Sequence, residues 1–434
     1  MEKLTYLLLL AAAVGVVQCQ TSSPLILTKY IETNQIYQGR AAAFVSYGEL
    51  LSKGIISYSG YFTVNKTFDS NLFFWYFPAK NNAVNAPVVL WLQGGPGAAS
   101  VYGCLMENGP VTVNANGKLE KRAQSWHLDH HIYTNNSAGY ARNQVDVATN
   151  LFSAVRQFFQ LFPELRNNRF YVTGESYGGK YVPALAYAIY SNRNSADLND
   201  RINLKGIAIG NGVTDPVHQI ASGDYFYQLG FIDKAALATF NQYQNGAYNA
   251  IAQGDYVTAM KYTFYLINSK GCLFNNLTGF TSPYHSLRPH GYDDQVHLTS
   301  DFLLNSGIDK YLHVGSRKFV AFSETNPVLQ YLVGDILDSV APWVATLANN
   351  YRLDLLVGTT LTENYLSYLP YNGASEFSTA KRQFWTVGND LAGYYKKGGN
   401  LIHITVREAG HMVPVDQPVW AYDMLKRLTY ETGF

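Results

Sequence analysis

The chain has 434 residues, enough for two domains or one large α/β domain. Its formal charge is +1 and charged residues make up 15%, below the roughly 25% usual in soluble domains. That balance excludes nucleic acid or an acidic polymer as a partner recruited by net charge, while the 34 tyrosines point to a dense, partly aromatic surface.

The first residues, MEKLTYLLLLAAAVGVVQCQ, carry Lys3, an apolar run from Leu7 to Val17, and small residues toward a cut near Cys19. This is the pattern of a secretory leader over 1–19. The run is well short of the ~20 residues a membrane span needs, and no later segment reaches that length. A secreted protein, or one delivered through the secretory pathway to a lysosomal or vacuolar lumen, is expected. Loss of the leader removes Cys19 and leaves Cys104 and Cys272. In an oxidising compartment these two either pair or stay as thiols, and spacing alone leaves both open. Sequons at Asn65, Asn135 and Asn276 are the candidate glycosylation sites.

Five apolar runs rich in β-branched residues follow: PVVLWLQ (87–93), FYVTG (170–174), LKGIAIGN (204–211), RLDLLVGT (352–359) and LIHITVRE (401–408). Continuous hydrophobicity suits strands buried on both faces of a mainly parallel sheet. Between them, NQVDVATNLFSAVRQFFQLFPE places Ala148, Leu151, Phe152, Val155, Phe158, Phe159 and Phe162 on one helical stripe that Pro163 ends. Strand alternating with helix predicts an α/β fold, with flanking helices on a central sheet. From about 216 to 326 that rhythm breaks, and the segment reads as a helical and irregular insertion or cap between core parts at about 58–215 and 327–434. The His-rich HLDHH (127–131) lacks the spacing of a zinc-binding helix and reads as a solvated turn. No metal or organic cofactor is expected.

The run FYVTGESYGGKYVPA places Gly174, Ser176 and Gly178 between a strand and a helix. Gly-x-Ser-x-Gly in that context is a nucleophile elbow, which exposes the serine on a sharp turn. A serine hydroxyl attacks well only when a base takes its proton. His411, after a strand and a glycine turn, is the candidate base. Asp354, inside an apolar strand where a lone carboxylate is costly, is the candidate orienting acid. Ser176, Asp354 and His411 follow the chain order of α/β-hydrolases. A second glycine turn, WLQGGPGAAS (91–100), has no Gly-Lys-Ser/Thr and so is a poor phosphate loop. Following an early strand, it could offer the Gly95 N–H to an oxyanion, with the Tyr177 N–H as second donor.

The motifs WLQGGPG, ENGPV, FYVTGESYGGKYVPA, GIAIGNGVTDP, LDLLV and GHMVPVDQP resemble those of the serine carboxypeptidases, in order and from about Tyr58 to the C-terminus. The Gln form of the first motif and the C-terminal third look most like vitellogenic carboxypeptidases. The resemblance implies an α/β-hydrolase fold with an inserted cap, and release of single residues from peptide C-termini by way of an acyl-enzyme. It implies Ser176, Asp354 and His411 as the catalytic residues and Gly95 and Tyr177 as oxyanion donors. It further implies a site for the substrate's terminal carboxylate built from Gln93, Gly94, Glu107 and Glu175, with Met412 near the leaving residue. Two carboxyls sharing a site should keep a proton between them, so activity should favour acidic pH. Peptide or protein C-termini are the implied partners, with a homodimer possible and a yolk-body lumen as a further destination.

WHLDHHIYTNNSAGY (126–140) is shorter than the family's pattern, so a central strand there should be truncated or lost, along with a loop bordering the cleft. The family's cysteine after the first glycine turn is replaced by Ala98, which argues against carrying its disulfide over to Cys104 and Cys272. Two rival uses of the same framework stay open: a catalytically impaired storage or binding protein, and an acyltransferase or esterase.

Overall fold

The computed structural model describes residues 23–126, 129–134, 137–268, 270–317, 319, 326–356 and 359–434. The side chains at 129–134, 268, 354–356 and 359 lie outside that description, as does the whole leader. The strands are β1 (Tyr58–Asn65), β2 (Ser70–Tyr76), β3 (Val88–Leu92), β4 (Val111–Val113), β5 (Leu119–Lys121), β6 (Asp129–Thr134), β7 (Phe170–Glu175), β8 (Leu204–Gly210), β9 (Arg352–Leu356), β10 (Gln383–Val387), β11 (Asp390–Gly398) and β12 (Leu401–Val406).

All five apolar runs become neighbours in one seven-stranded sheet of order β10-β11-β12-β9-β8-β7-β3. The pairs β3–β7, β7–β8, β8–β9 and β9–β12 are parallel, and β10 and β11 close the far edge as an antiparallel hairpin. A parallel sheet buried on both faces brings all its carboxyl ends to one edge, where open α/β sheets hold their ligands.

Helix α1 (Gln144–Leu161) is the predicted striped helix. The Asn143 side chain caps it by accepting the Asp146 N–H at 2.9 Å, and Pro163 follows its end. It buries Leu151, Val155, Phe158 and Phe159 in the main core. Helix α2 (Gly178–Ser191) leaves the elbow directly and contains Pro183, which has no N–H for the carbonyl of Gly179. The hydroxyl of Thr214 donates to that carbonyl at 3.1 Å, so the helix tolerates the proline.

Where a central strand was expected to be truncated or lost, a strand forms, but outside the seven-stranded sheet. Asp129–Thr134 forms six-residue β6, which pairs antiparallel with β2 in a three-stranded sheet of order β1-β2-β6. Residues 127–128 and 135–136, with the Asn135 sequon, lie outside the described residues. From 216 to 326 the described residues form helices and turns, including α3 (Lys234–Ala252) and α4 (Asp293–Asn305), and no strand. Cys104 and Cys272 do not form a disulfide, which corrects that possibility. Each thiol is 2% exposed and each packs in a different apolar cluster, one under the glycine turn and one inside the insertion. Asn276 is exposed in a short helix, and Asn65 is half-buried at the end of β1. No helix among the described residues is long and apolar enough to cross a membrane.

Candidate active site

Ser176 follows the last residue of β7 and precedes α2. Its φ is +61°, left-handed for a residue with a Cβ, which costs of order 1–3 kcal/mol and persists only where neighbours over-determine it. They do so here. The Ser176 N–H donates to Gly210 O at 2.9 Å, and its carbonyl accepts from Gly179 at 2.9 Å and Val213 at 3.0 Å. Glu175 and Tyr177 on either side are buried, while Ser176 itself is partly open.

His411 lies in the turn after β12, and the Asn211 side-chain amide donates to its carbonyl at 2.5 Å. Gly210 thus holds Ser176 and the next residue, Asn211, holds His411, so consecutive positions at the end of β8 anchor both. Among the described residues no hydrogen bond joins the serine hydroxyl to the imidazole. Burial pushes the imidazole pKa down to about 4, leaving it neutral, as a base must be, at higher pH. The ring of Tyr284, from the insertion, lies 4.7 Å from the imidazole centroid at an interplanar angle of 32°. Asp354 occupies β9 opposite Ala208 of β8 and Ile402 of β12. Its strand therefore runs between the two that anchor Ser176 and carry His411, while its side chain lies outside the described residues.

The glycine turn backs directly onto the elbow. A Cβ on Gly94 would lie 2.5 Å from Tyr177 N and 2.6 Å from Ser176 Cβ, so only glycine permits this approach. Gly95 follows at φ +110°, also a glycine conformation. Beneath it, the Tyr177 ring is pinned by a buried polar network. Gln144 Nε2 donates to the phenol oxygen at 3.1 Å, and the phenol donates to Asp335 Oδ2 at 3.4 Å. Gln144 Nε2 also donates to that carboxylate oxygen at 2.6 Å. Lys180, wholly buried, pairs with Asp335 at 3.3 Å and donates to the carbonyls of Asp335, Ile336 and Asp338. Every charge there has a partner, as burial requires.

Glu107 and Glu175 are 2% and 1% exposed. Glu107 lies in a π-helical turn, Cys104–Asn108, closed by the Gly109 N–H on Cys104 O at 2.9 Å, a geometry frequent at functional sites. Two carboxyls buried in one site cannot both ionise cheaply, so the pair keeps a proton. Gln93, directly after β3, fixes Glu175. Its Oε1 accepts from Trp91 Nε1 at 2.7 Å, so its amide nitrogen must face Glu175 Oε1, at 3.1 Å. Burial pushes Glu107 up to about 7, and burial followed by repulsion from Glu107 pushes Glu175 well above the carboxyl range. Met412, half-buried, packs at the edge of the same apolar cluster as Leu105 and Met106.

The structure thus brings Gln93, Gly94, Glu107, Glu175, Ser176 and Tyr177 together, and ties His411 to the same sheet edge. Sequence reasoning passed over Asn211, Asp335 with Lys180, Tyr284, Tyr292 and Asp416. For Asn211 a signal exists, a lone Asn between two glycines at a strand end, and its φ is +45°.

The family model for serine carboxypeptidases matches residues 52–431. The venom serine carboxypeptidase of Apis mellifera is 43% identical over 434 residues, covering 95% of this chain and 92% of that protein. The vitellogenic carboxypeptidase of Aedes aegypti is 38% identical, covering 95% and 91%. A probable serine carboxypeptidase of Homo sapiens is 37% identical, with the same shares. Among solved structures, a prohormone-processing carboxypeptidase from Saccharomyces cerevisiae superposes with a TM-score of 0.74 at 22% identity, covering 90% of this chain and 96% of that one, which supports the fold. With its parallel sheet, flanking helices and elbow serine, this chain has the α/β-hydrolase fold and belongs to the serine carboxypeptidase family of hydrolases.

Proposed function

We propose that this enzyme removes the last residue from peptides whose C-terminal carboxylate docks against Gln93, the Gly94 N–H and the protonated Glu107–Glu175 pair. One observation carries the reading: two buried carboxyls, Glu107 and Glu175, that are both pushed toward protonation beside Gln93, the second immediately preceding the elbow serine. A hydrolase elbow alone would serve an esterase equally well, whereas an acid kept neutral beside it can donate a hydrogen bond to an anion.

In the reaction, Ser176 Oγ attacks the last peptide carbonyl carbon while His411, oriented by Asp354, takes the hydroxyl proton. The N–H groups of Gly95 and Tyr177 receive the oxyanion. His411 passes its proton to the leaving nitrogen as the C–N bond breaks, and the free amino acid departs past Met412. Water, deprotonated by His411, then opens the acyl-enzyme and restores the serine. The insertion over 216–326 acts as a cap on this cleft. The leader at 1–19 would send the protein through the secretory pathway, to the outside or to a lysosomal, vacuolar or yolk-body lumen, with sugars on Asn65, Asn135 or Asn276.

A fluorophosphonate applied to the purified protein at pH 5 should label Ser176 and stop release of C-terminal amino acids; labelling elsewhere, or none, defeats the assignment. Substituting Gly94→Ala should lower kcat/KM about a hundredfold, because the new Cβ meets backbone and elbow atoms and a misplacement near 1 Å carries about that cost. A folded Gly94→Ala protein with unchanged kcat/KM would remove the glycine turn from the oxyanion site.

A further inference from the structure

The turn carrying His411 is held largely by the insertion. Three successive N–H groups are satisfied away from the turn's own strand. Gly410 donates to Asp416 Oδ2 at 2.8 Å, His411 to Tyr284 O at 2.8 Å, and Met412 to the Tyr292 hydroxyl at 3.1 Å. Tyr292 donates its own proton to Asp416 Oδ2 at 2.5 Å. One carboxylate therefore fixes the residue before His411 directly and the residue after it through a single phenol.

That carboxylate is 2% exposed and sits at the end of the short helix Val413–Asp416. A buried charge needs partners, and the insertion supplies them. Arg288 Nη1 lies 3.0 Å from Oδ1, and His285 Nε2 lies 3.7 Å from Oδ2. His285 Nδ1 accepts the Leu287 N–H at 3.1 Å, which leaves the ring proton on Nε2, facing the carboxylate. The fit is close. A Cβ on Gly410 would lie 2.6 Å from both His285 Cδ2 and the Tyr292 oxygen. Asp354 is the residue expected to orient the imidazole itself, but nothing in that role sets where the backbone of the turn stands.

We propose that Asp416 and Tyr292 are positioning residues for His411, clamping its turn to the insertion so that the imidazole stands where it can take the serine proton. The proposal rests on the assignment of Ser176 and His411 above. A buried ion pair that served stability alone would leave the reactivity of the folded protein untouched, so the test reads the rate at which a fluorophosphonate modifies Ser176, a reaction that needs no C-terminal carboxylate.

Tyr292→Phe removes one oxygen and leaves the ring in place. It should slow labelling ten- to a hundredfold and lower kcat in the same proportion, with KM for a peptide changed less than threefold. Asp416→Asn should slow labelling likewise, its KM being set apart because the Asp416 charge also raises the Glu107–Glu175 pair. The double variant should label no slower than the worse single one, because both act through the same turn. A folded Tyr292→Phe protein labelled at the wild-type rate overturns the clamp. Failure of the wild-type protein itself to label strikes the underlying assignment, and the clamp with it.

Discussion

Replacing Ser176 with alanine should reduce kcat for release of a C-terminal residue by about six orders of magnitude, the loss seen when a member of such a catalytic unit is removed singly. The change is confined to chemistry. The backbone bonds that hold the elbow, from Ser176 N to Gly210 O and from Gly179 and Val213 to the Ser176 carbonyl, use no side-chain atom. Alanine at φ +61° carries the same Cβ and the same strain as serine. The melting temperature should therefore stay within a few degrees, and KM should stay close to its original value because the terminal carboxylate site is intact. Following free amino acid release from a peptide by mass spectrometry, beside a thermal melt, separates the two effects. More than a hundredth of the original kcat would mean that another group is the nucleophile.

The parallel core was readable because burial on both faces writes itself as an unbroken apolar run. Runs at 87–93, 170–174, 204–211, 352–359 and 401–408 became β3, β7, β8, β9 and β12, with ends displaced by a few residues at most. The antiparallel strands differ among themselves. In β2, SNLFFWY follows that rule, buried throughout with no alternation, while edge strand β10, QFWTV, is exposed except at buried Trp385 and half-buried Val387. Strand β6, DHHIYT, was hidden by its polar composition.

The elbow at Ser176 and the turn at His411 were legible because a sharp strand–helix turn and a loop opened by a glycine demand unusual local residues. Glu107 was reached only through family likeness, as nothing local in MENGP announces a π-helical turn. Asp416 lies 124 positions from Tyr292, and VPVDQP reads as an ordinary helix start with a helpful acid. Only chain closure reveals what that acid holds. Likewise, no spacing between Cys104 and Cys272 says that they end in separate clusters.

Raising the pH through neutrality should weaken peptide binding, and the sign follows from which form of the carboxyl pair can donate. Below the raised range the pair holds its proton, and one carboxyl offers an O–H to the substrate's carboxylate. Burial lifts Glu107 to about 7, and burial followed by repulsion from Glu107 pushes Glu175 well above the carboxyl range. As pH rises through the pair's upper titration that proton leaves, the donor becomes an anion facing an anion, and KM climbs, approaching tenfold per pH unit beyond the transition. On the other side, His411 must be neutral to accept the serine proton. Its depressed pKa, caused by burial, puts the acid limb at about 4. The profile of kcat/KM, which reports groups of the free enzyme, should thus be a bell with its acid limb at about 4 and its alkaline limb at the pair's upper titration. Two controls isolate the alkaline limb. A peptide amidated at its C-terminus has no carboxylate to repel, so its weaker hydrolysis should lack that limb. The double variant Glu107→Gln, Glu175→Gln keeps amide donors that cannot titrate, and its KM should stay level to about pH 8. A wild-type profile flat from pH 4 to 8, or an alkaline limb that survives both controls, would mean that the pair is buried for packing and that the carboxylate is recognised elsewhere.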